Sequence, residues 1–181
     1  QPLNTLTNFL RALIAFCKEG ACLKVTNGYL QADNVAHMWT LNNRLAAATD
    51  QQRDEIMQLL RVGHMADTEV TSINWGQDII NGCDVLSEAD MQHQLVNQIY
   101  CAAPAVRYSP KVPLAAWEQL SKLILTAQYE SCICCAMKNA VRHTDKVGSR
   151  KLLLTMLGTG AYGNDPQWVW EVLGPLCTKY T

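Results

Sequence analysis

The sequence predicts an α/β protein whose N-terminal third is helical. Apolar residues recur at helical spacing in residues 3–17, 35–45 and 50–60. After residue 67 the pattern becomes strand, strand, helix, strand and helix, which is the alternation typical of α/β organisation. A continuous apolar run at residues 151–157 comes directly before a glycine-rich stretch. Such runs are typical of strands that are buried on both faces of a parallel sheet.

We expect one domain. The chain has 181 residues, with a mainly helical part at residues 1–62 and an α/β part at residues 63–181. It begins at Gln1 rather than Met, and no charged segment with a cleavage site follows. We therefore expect a fragment, a processed product or a trimmed chain.

The composition is that of a folded protein: apolar residues make up 49% and charged residues 17%. A net charge of -1 gives no general electrostatic attraction to nucleic acid. The apolar runs are far shorter than the roughly 20 residues that cross a membrane. We expect a soluble protein with no membrane contact, located inside a cell, either in the cytoplasm or delivered into a host as an effector.

Eight cysteines are many for this length, and most of them stand in apolar segments. The chain is too large and apolar to need disulfide staples, so reduced thiols are expected. Cys132 and Cys135 form a C-x-x-C pair within a helical pattern. A zinc site would need a second ligand pair, and a thioredoxin-type pair would stand at the start of a helix. We predict neither a metal nor a cofactor.

The N-terminal elements follow from periodicity and turn residues. A first helix ends near Gly20, a short strand covers residues 22–26, and Asn27-Gly28 marks a turn. A second helix begins near Val35, and Asp50 is the predicted N-cap of a third.

The middle of the chain is predicted to contain two strands and the longest helix. Residues 68–73 are rich in β-branched types and predict a strand, and residues 74–90 predict a loop that carries Trp75, a candidate for contact with a ligand or partner. Residues 95–106 predict a buried strand that leaves its sheet at Pro104. The helix is predicted over residues 117–139.

The end of the chain predicts a strand at residues 151–157, a glycine loop and a helix capped by Asp165 with Pro166 at its first position. Gly174-Pro175 is predicted to kink or end that helix. Backbone N–H groups of such a loop and the helix dipole together favour a phosphate. The dinucleotide-binding and P-loop patterns are both incomplete here. The alternative is a tight connection that merely needs glycines.

One stretch resembles a known family. The run LLTMLGTGAYGNDP at residues 153–166 is similar to the closing strand, loop and helix of macrodomains, particularly the poly(ADP-ribose) glycohydrolase-like branch. Residues 96–104 resemble that family's preceding core strand and its exit loop. The helix predicted at residues 117–139 stands where the family has a helix between these two strands. The resemblance covers roughly residues 95–175 and implies a macrodomain-like three-layer arrangement.

The resemblance also implies a site. Asn164 would cap or brace the loop, and the six residues before it would contact the diphosphate and distal ribose of ADP-ribose: Gly158, Thr159, Gly160, Ala161, Tyr162 and Gly163. The paired glutamates of the glycohydrolase branch are missing. The nearest counterpart of the first macrodomain loop is the stretch at residues 27–33.

Catalysis of glycosidic hydrolysis requires a carboxylate. Asp67 and Glu69 are the candidates, because residues two apart on a regular strand face the same side. The alternative is that they belong to an exposed strand face or cap an element.

These observations lead to two hypotheses. In the first, the protein binds ADP-ribose or a related nucleotide diphosphate and, as a possible ADP-ribosyl hydrolase, removes ADP-ribose from modified proteins. In the second, it is a degenerate macrodomain-like fold that serves as a non-catalytic scaffold for a protein partner. A third possibility is a fragment whose catalytic carboxylates lie upstream of Gln1 or on another chain.

Overall fold

A computed structural model describes residues 2–18, 23–70, 95–146 and 148–180. The described chain mixes helices with small sheets, as the sequence predicts. It divides into two compact units, one made of residues 1–62 and 101–181 and the other of residues 63–100. Within the described ranges, no helix is both long enough and apolar enough to cross a bilayer.

The first unit is built mainly from helices. Its elements are α1 (Pro2–Cys17), β1 (Leu23–Thr26), β2 (Tyr29–Ala32), α2 (Val35–Ala46), α3 (Asp50–Met57), 3-10 turns at Val106–Tyr108 and Leu114–Trp117, α4 (Glu118–Arg142) and α5 (Pro166–Lys179).

Helix α4 is central to this unit and contacts α2, α3 and α5. Trp117, Leu120 and Leu125 are fully buried on it or at its start, and Met38 and Leu41 of α2 belong to the same hydrophobic core. Burying side chains of this size contributes roughly 1.5–3 kcal/mol each relative to exposure. The core is thus organised around one long helix.

The hairpin β1–β2 is antiparallel and pairs Thr26 with Tyr29 across its turn. Asn27 has φ 51° and Gly28 has φ 81°, as a two-residue type I′ turn requires, so the predicted turn is confirmed. The backbone N–H of Ala32 donates to the buried Ser109 Oγ at 2.8 Å. This bond ties the hairpin to the segment that follows Tyr108.

The predicted N-cap is correct for α5 and wrong for α3. Asp165 caps α5 and Pro166 follows at its start, as predicted. The N-cap of α3 is Thr49, which forms a capping box with Gln52, so the prediction of Asp50 is wrong by one position. A hydroxyl that bonds the N3 amide, with Gln52 bonding back, satisfies two backbone N–H groups at once.

Of the two effects predicted for Gly174-Pro175, a kink or an end of the helix, the end is wrong, because helix α5 continues through the pair to Lys179. Val172 and Leu176 lie on either side of this pair and are both buried. Their burial holds the last turns in place despite the hydrogen bond that proline removes.

The predicted strand at residues 151–157 is also wrong, because residues 151–156 belong to no sheet. Leu153 is 92% exposed. A side chain takes the place of a neighbouring strand: Tyr129 Oη donates to Thr155 O at 2.8 Å and accepts from Leu157 N at 3.0 Å. The two described sheets are antiparallel pairs, so the expectation of a parallel sheet is not met in the described residues.

The second unit contains the antiparallel pair β3 (Gly63–Glu69) and β4 (Leu95–Tyr100). The register shifts between Met65 and Thr68, where β3 bulges. The predicted strand therefore begins earlier than residue 68. Its last residues, 71–73, and the predicted loop with Trp75 lie outside the described residues. Strand β4 ends at Tyr100, not near residue 106.

Candidate functional site

The glycine loop at residues 158–164 is closed at its base by one asparagine. Asn164 is only 2% exposed. Its Nδ2 donates to Pro104 O at 2.7 Å and to Gly158 O at 3.2 Å, and its backbone N–H donates to Gly158 O at 2.9 Å. The two ends of the loop are thereby held together and anchored to the segment that follows Cys101.

Two of the three loop glycines are required by the fold. Gly158 has φ +73° and Gly163 has φ +75°, conformations that side chains strain. A Cβ at Gly158 would lie 2.4 Å from Ala103 Cβ, and one at Gly163 would lie 2.4 Å from Arg107 Cγ. These two positions need glycine whether or not a ligand binds.

Gly160 differs from both. It is exposed, it has no left-handed φ, and a Cβ there would meet nothing within 4 Å. The fold therefore gives no reason for glycine at the tip of the loop. Close approach of a ligand to the backbone is a reason that remains.

Backbone N–H groups at the tip are available to an acceptor. Thr159, Gly163 and Asn164 donate their N–H groups to carbonyls within or beside the loop. Within the described part of the chain, the N–H groups of Gly160 and Ala161 have no such partner, and neither has that of Tyr162. Consecutive unengaged N–H groups are the kind of donor set that binds an anion.

The start of α5 contributes less than predicted. Asp165 Oδ1 accepts from Gln167 N at 2.8 Å, and Asp165 O accepts from Trp168 N at 3.1 Å. The Asp165 carboxylate already occupies the positive end of the helix dipole. An anion at this loop would depend on the tip amides rather than on the helix terminus.

A cation stands next to the loop. Arg107 is exposed, and its backbone N–H donates to Tyr162 O at 3.0 Å. Its side chain runs beside Gly163, where a Cβ would approach Arg107 Nε to 2.7 Å. No carboxylate partner of Arg107 is found among the residues that the structure describes. A guanidinium in this place can pair with phosphate oxygens.

Three tyrosines, which we term the tyrosine cluster, meet beside the loop. Tyr29, Tyr108 and Tyr162 make edge-to-face contacts, with ring centroids 4.9, 5.9 and 6.0 Å apart. Hydrogen bonding with Tyr29, followed by electrostatic repulsion, raises the pKa of Tyr162 above its ordinary value of 10.0. The phenol is therefore neutral at physiological pH. Ring faces and hydroxyls of this kind can pack against a sugar or a base.

The remaining loop residue, Thr159, uses its hydroxyl in a local hydrogen bond. Its Oγ1 donates to Met156 O at 3.1 Å, which leaves the hydroxyl in a local turn. Of the seven residues in the site that the resemblance implies, the tip of the loop therefore presents chiefly Gly160, Ala161 and Tyr162.

The predicted catalytic pair belongs to the second unit. Asp67 lies in the bulge of β3 with φ 54°, and its N–H donates to Asn97 Oδ1 at 3.0 Å. Glu69 is exposed at the end of the strand. The regular alternation that the sequence argument assumed is interrupted at Asp67. The two carboxylates are therefore not placed on one face by strand geometry alone.

Sequence reasoning missed several residues beside the loop. Arg107, Tyr108 and Tyr29 lie far from the loop in sequence, and no periodicity singles them out. The one available signal in the sequence is the stretch at residues 27–33, the nearest counterpart of the first macrodomain loop, which contains Tyr29 of the tyrosine cluster.

Among the described residues, no group of three or more His, Cys, Asp or Glu side chains could hold a metal ion. Comparison of the chain with protein-family models, with curated proteins and with solved structures gives no match.

Proposed function

We propose that the protein binds ADP-ribose or a related nucleotide diphosphate at the tip of the glycine loop. The observation that carries this proposal is Gly160: an exposed glycine that the fold does not require, standing in a row of unengaged backbone N–H groups. The similarity of residues 153–166 to the macrodomain loop is the sequence support, and a macrodomain-like arrangement is part of the same proposal.

The neighbouring side chains suit the two halves of such a ligand. The diphosphate would take the tip amides and the Arg107 guanidinium. The ribose would pack on the tyrosine cluster, and the hydroxyl of Tyr162, whose pKa is raised, could donate and accept hydrogen bonds there. Such a site would bind the ligand through one charged side chain, Arg107, and several neutral groups. It would therefore not require a chain with a large positive charge, and the net charge here is -1.

Calorimetric titration with ADP-ribose tests the proposal. We expect binding by the wild-type chain and a loss of at least about tenfold in affinity for Gly160→Glu, because the added carboxylate repels the diphosphate. Gly174→Glu is the matched control: it adds the same charge at another exposed glycine with nothing within 4 Å of its Cβ position. Equal losses for both variants, or no heat with the wild type, would contradict the proposed site.

Hydrolysis of ADP-ribose from a modified protein is a separate proposal. Its support is the bulge at Asp67, where a residue other than glycine has a left-handed backbone conformation. Bulges and backbone conformations of this kind are concentrated at functional sites. Release of ADP-ribose from an ADP-ribosylated protein should be lost in Asp67→Asn and reduced in Glu69→Gln. Unchanged release in both variants would exclude these carboxylates from the chemistry.

A second function, a non-catalytic interaction subunit, is favoured by the exposed apolar segment at residues 151–156. Leu153 is 92% exposed, and Leu154 and Met156 are exposed as well. Exposed apolar side chains that are grouped on one segment are typical of a surface that binds another protein. Interactors that are lost with Leu153→Asp but retained with Gly160→Glu would support scaffolding, whereas identical interactors for both variants would count against it.

A further inference from the structure

Two thiols from separate parts of the first unit lie close together. Cys101 Sγ and Cys132 Sγ lie 4.0 Å apart. Cys101 begins the segment that supports the loop, and Cys132 is on α4. A disulfide requires about 2.05 Å between the sulfurs. Rotation of the two side chains would therefore have to shorten the sulfur–sulfur distance by roughly 2 Å, which is less than the diameter of a sulfur atom.

The two thiols differ in exposure and in acidity. Cys101 is partly exposed, whereas Cys132 is 6% exposed. A hydrogen bond from Cys132 lowers the pKa of Cys101 to about 7. The same bond, with burial, raises the pKa of Cys132 above its ordinary value. Tyr129 also faces the pair and stays neutral, because burial raises its pKa. Cys101 is thus the accessible thiolate and Cys132 the protonated partner.

We propose that Cys101 and Cys132 form a reversible dithiol–disulfide pair that is oxidised by low-molecular-weight disulfides. The Cys101 thiolate attacks one sulfur of the disulfide, which forms a mixed disulfide and releases one small thiol. Cys132 then loses its proton and attacks Cys101 Sγ, which forms the intramolecular bond and releases the second small thiol. Two protein thiols are oxidised and one small disulfide is reduced to two thiols, so electrons balance.

The pair differs from the one that the sequence motif indicates. Cys132 and Cys135 form the C-x-x-C, but both stand in the interior of the continuous helix α4. Burial raises the pKa of Cys135, which makes it a weaker nucleophile at neutral pH. The partner of Cys132 is therefore the distant Cys101, not its neighbour in the motif.

Oxidation would act on the segment that supports the glycine loop. Cys101 is followed by Ala103, Pro104 and Arg107, all of which contact the loop. A bond to Cys132 would fix the start of that segment to α4. This consequence does not depend on what the loop binds.

Disulfide mapping of the wild-type chain tests the pair directly. The reduced chain is treated with glutathione disulfide at neutral pH, quenched with acid and N-ethylmaleimide, and digested with chymotrypsin without reduction. Cleavage after Tyr100 and Tyr108 separates Cys101 from Cys83, and cleavage after Tyr129 isolates the peptide with Cys132. Fragmentation of that peptide distinguishes Cys132 from Cys134 and Cys135. We expect the bond between Cys101 and Cys132.

Variants assign the two roles. Cys132→Ser should accumulate the glutathione mixed disulfide on Cys101, because the attacking thiol of the second step is missing. Cys101→Ser should react about tenfold more slowly than the wild type, because the thiol whose pKa is lowered to about 7 is gone. A double variant with Cys134→Ser and Cys135→Ser is the control and should form the bond normally.

Each outcome decides the matter. A bond from Cys132 to Cys134 or Cys135, or a lasting mixed disulfide in the wild type, would overturn the proposal. If circular dichroism shows that either single variant is unfolded, the disulfide map of the wild-type chain alone tests whether Cys101 and Cys132 form the bond. Its reversal by dithiothreitol shows that the pair is reversible.

Discussion

Replacing Gly158 with alanine perturbs the base of the glycine loop at a point where two costs add. A side chain at φ +73° costs about 1–2 kcal/mol. The new Cβ would also lie 2.4 Å from Ala103 Cβ and 2.5 Å from Asn164 Nδ2, and overpacking of this kind costs about 1–3 kcal/mol. We expect Gly158→Ala to lower the free energy of unfolding by about 2–5 kcal/mol in total.

Equilibrium unfolding in urea, followed by the fluorescence of the buried Trp117 and Trp168, measures this loss. Gly160→Ala is the matched control and should change the free energy of unfolding by no more than about 0.5 kcal/mol, because nothing lies within 4 Å of its Cβ position. Similar losses for both variants, or a neutral Gly158→Ala, would refute the reasoning about what holds the loop.

Three further predictions concern α4 and its neighbours. Tyr129→Phe removes the hydroxyl that bonds Thr155 O and Leu157 N, so we expect a loss of about 1–3 kcal/mol and faster amide exchange at Leu157, measured by mass spectrometry. Glu130→Gln should cost no more than about 1 kcal/mol at neutral pH, because its ion pair to α5 is partly exposed. That pair lowers the pKa of Glu130, so its contribution is present above the ordinary value of 4.5 and is lost as the pH falls through the lowered value; the melting temperatures of the two proteins should converge once the pH is below that lowered value. Alkylation of Cys101 by iodoacetamide should rise through a midpoint of about 7, and a midpoint at the ordinary value of 9.0 would contradict its hydrogen bond.

Periodicity and turn chemistry predicted much of the helical framework. Residues 117–139 were predicted as the longest helix and α4 covers Glu118–Arg142. Asn27-Gly28 and Asp165 also occupy the turn and the cap that their types predict. These features are local, since a few adjacent residues determine them.

The sequence-based predictions fail where a residue distant in the chain determines the local structure. The apolar run at residues 151–157 has the composition of a buried strand, yet its backbone bonds a tyrosine hydroxyl and Leu153 is exposed. Composition does not tell whether a second strand is present to pair with it. Asp67 adopts a left-handed conformation opposite Asn97, which a period-two pattern cannot show. The meeting of Tyr29, Tyr108 and Tyr162 likewise depends on contacts between segments far apart in the chain.

The side-chain restraints on the glycine loop are concentrated at its two ends, in Gly158, Gly163 and Asn164, while Gly160 and Ala161 are exposed and the Cβ position of Gly160 has no atom within 4 Å. Mutational tolerance should divide along the same line. Libraries that vary residues 160–161 should yield mostly folded proteins, because loop tips tolerate sequence change without a loss of stability. The loop thus separates the part of its sequence that keeps the fold from the part that can change without affecting it.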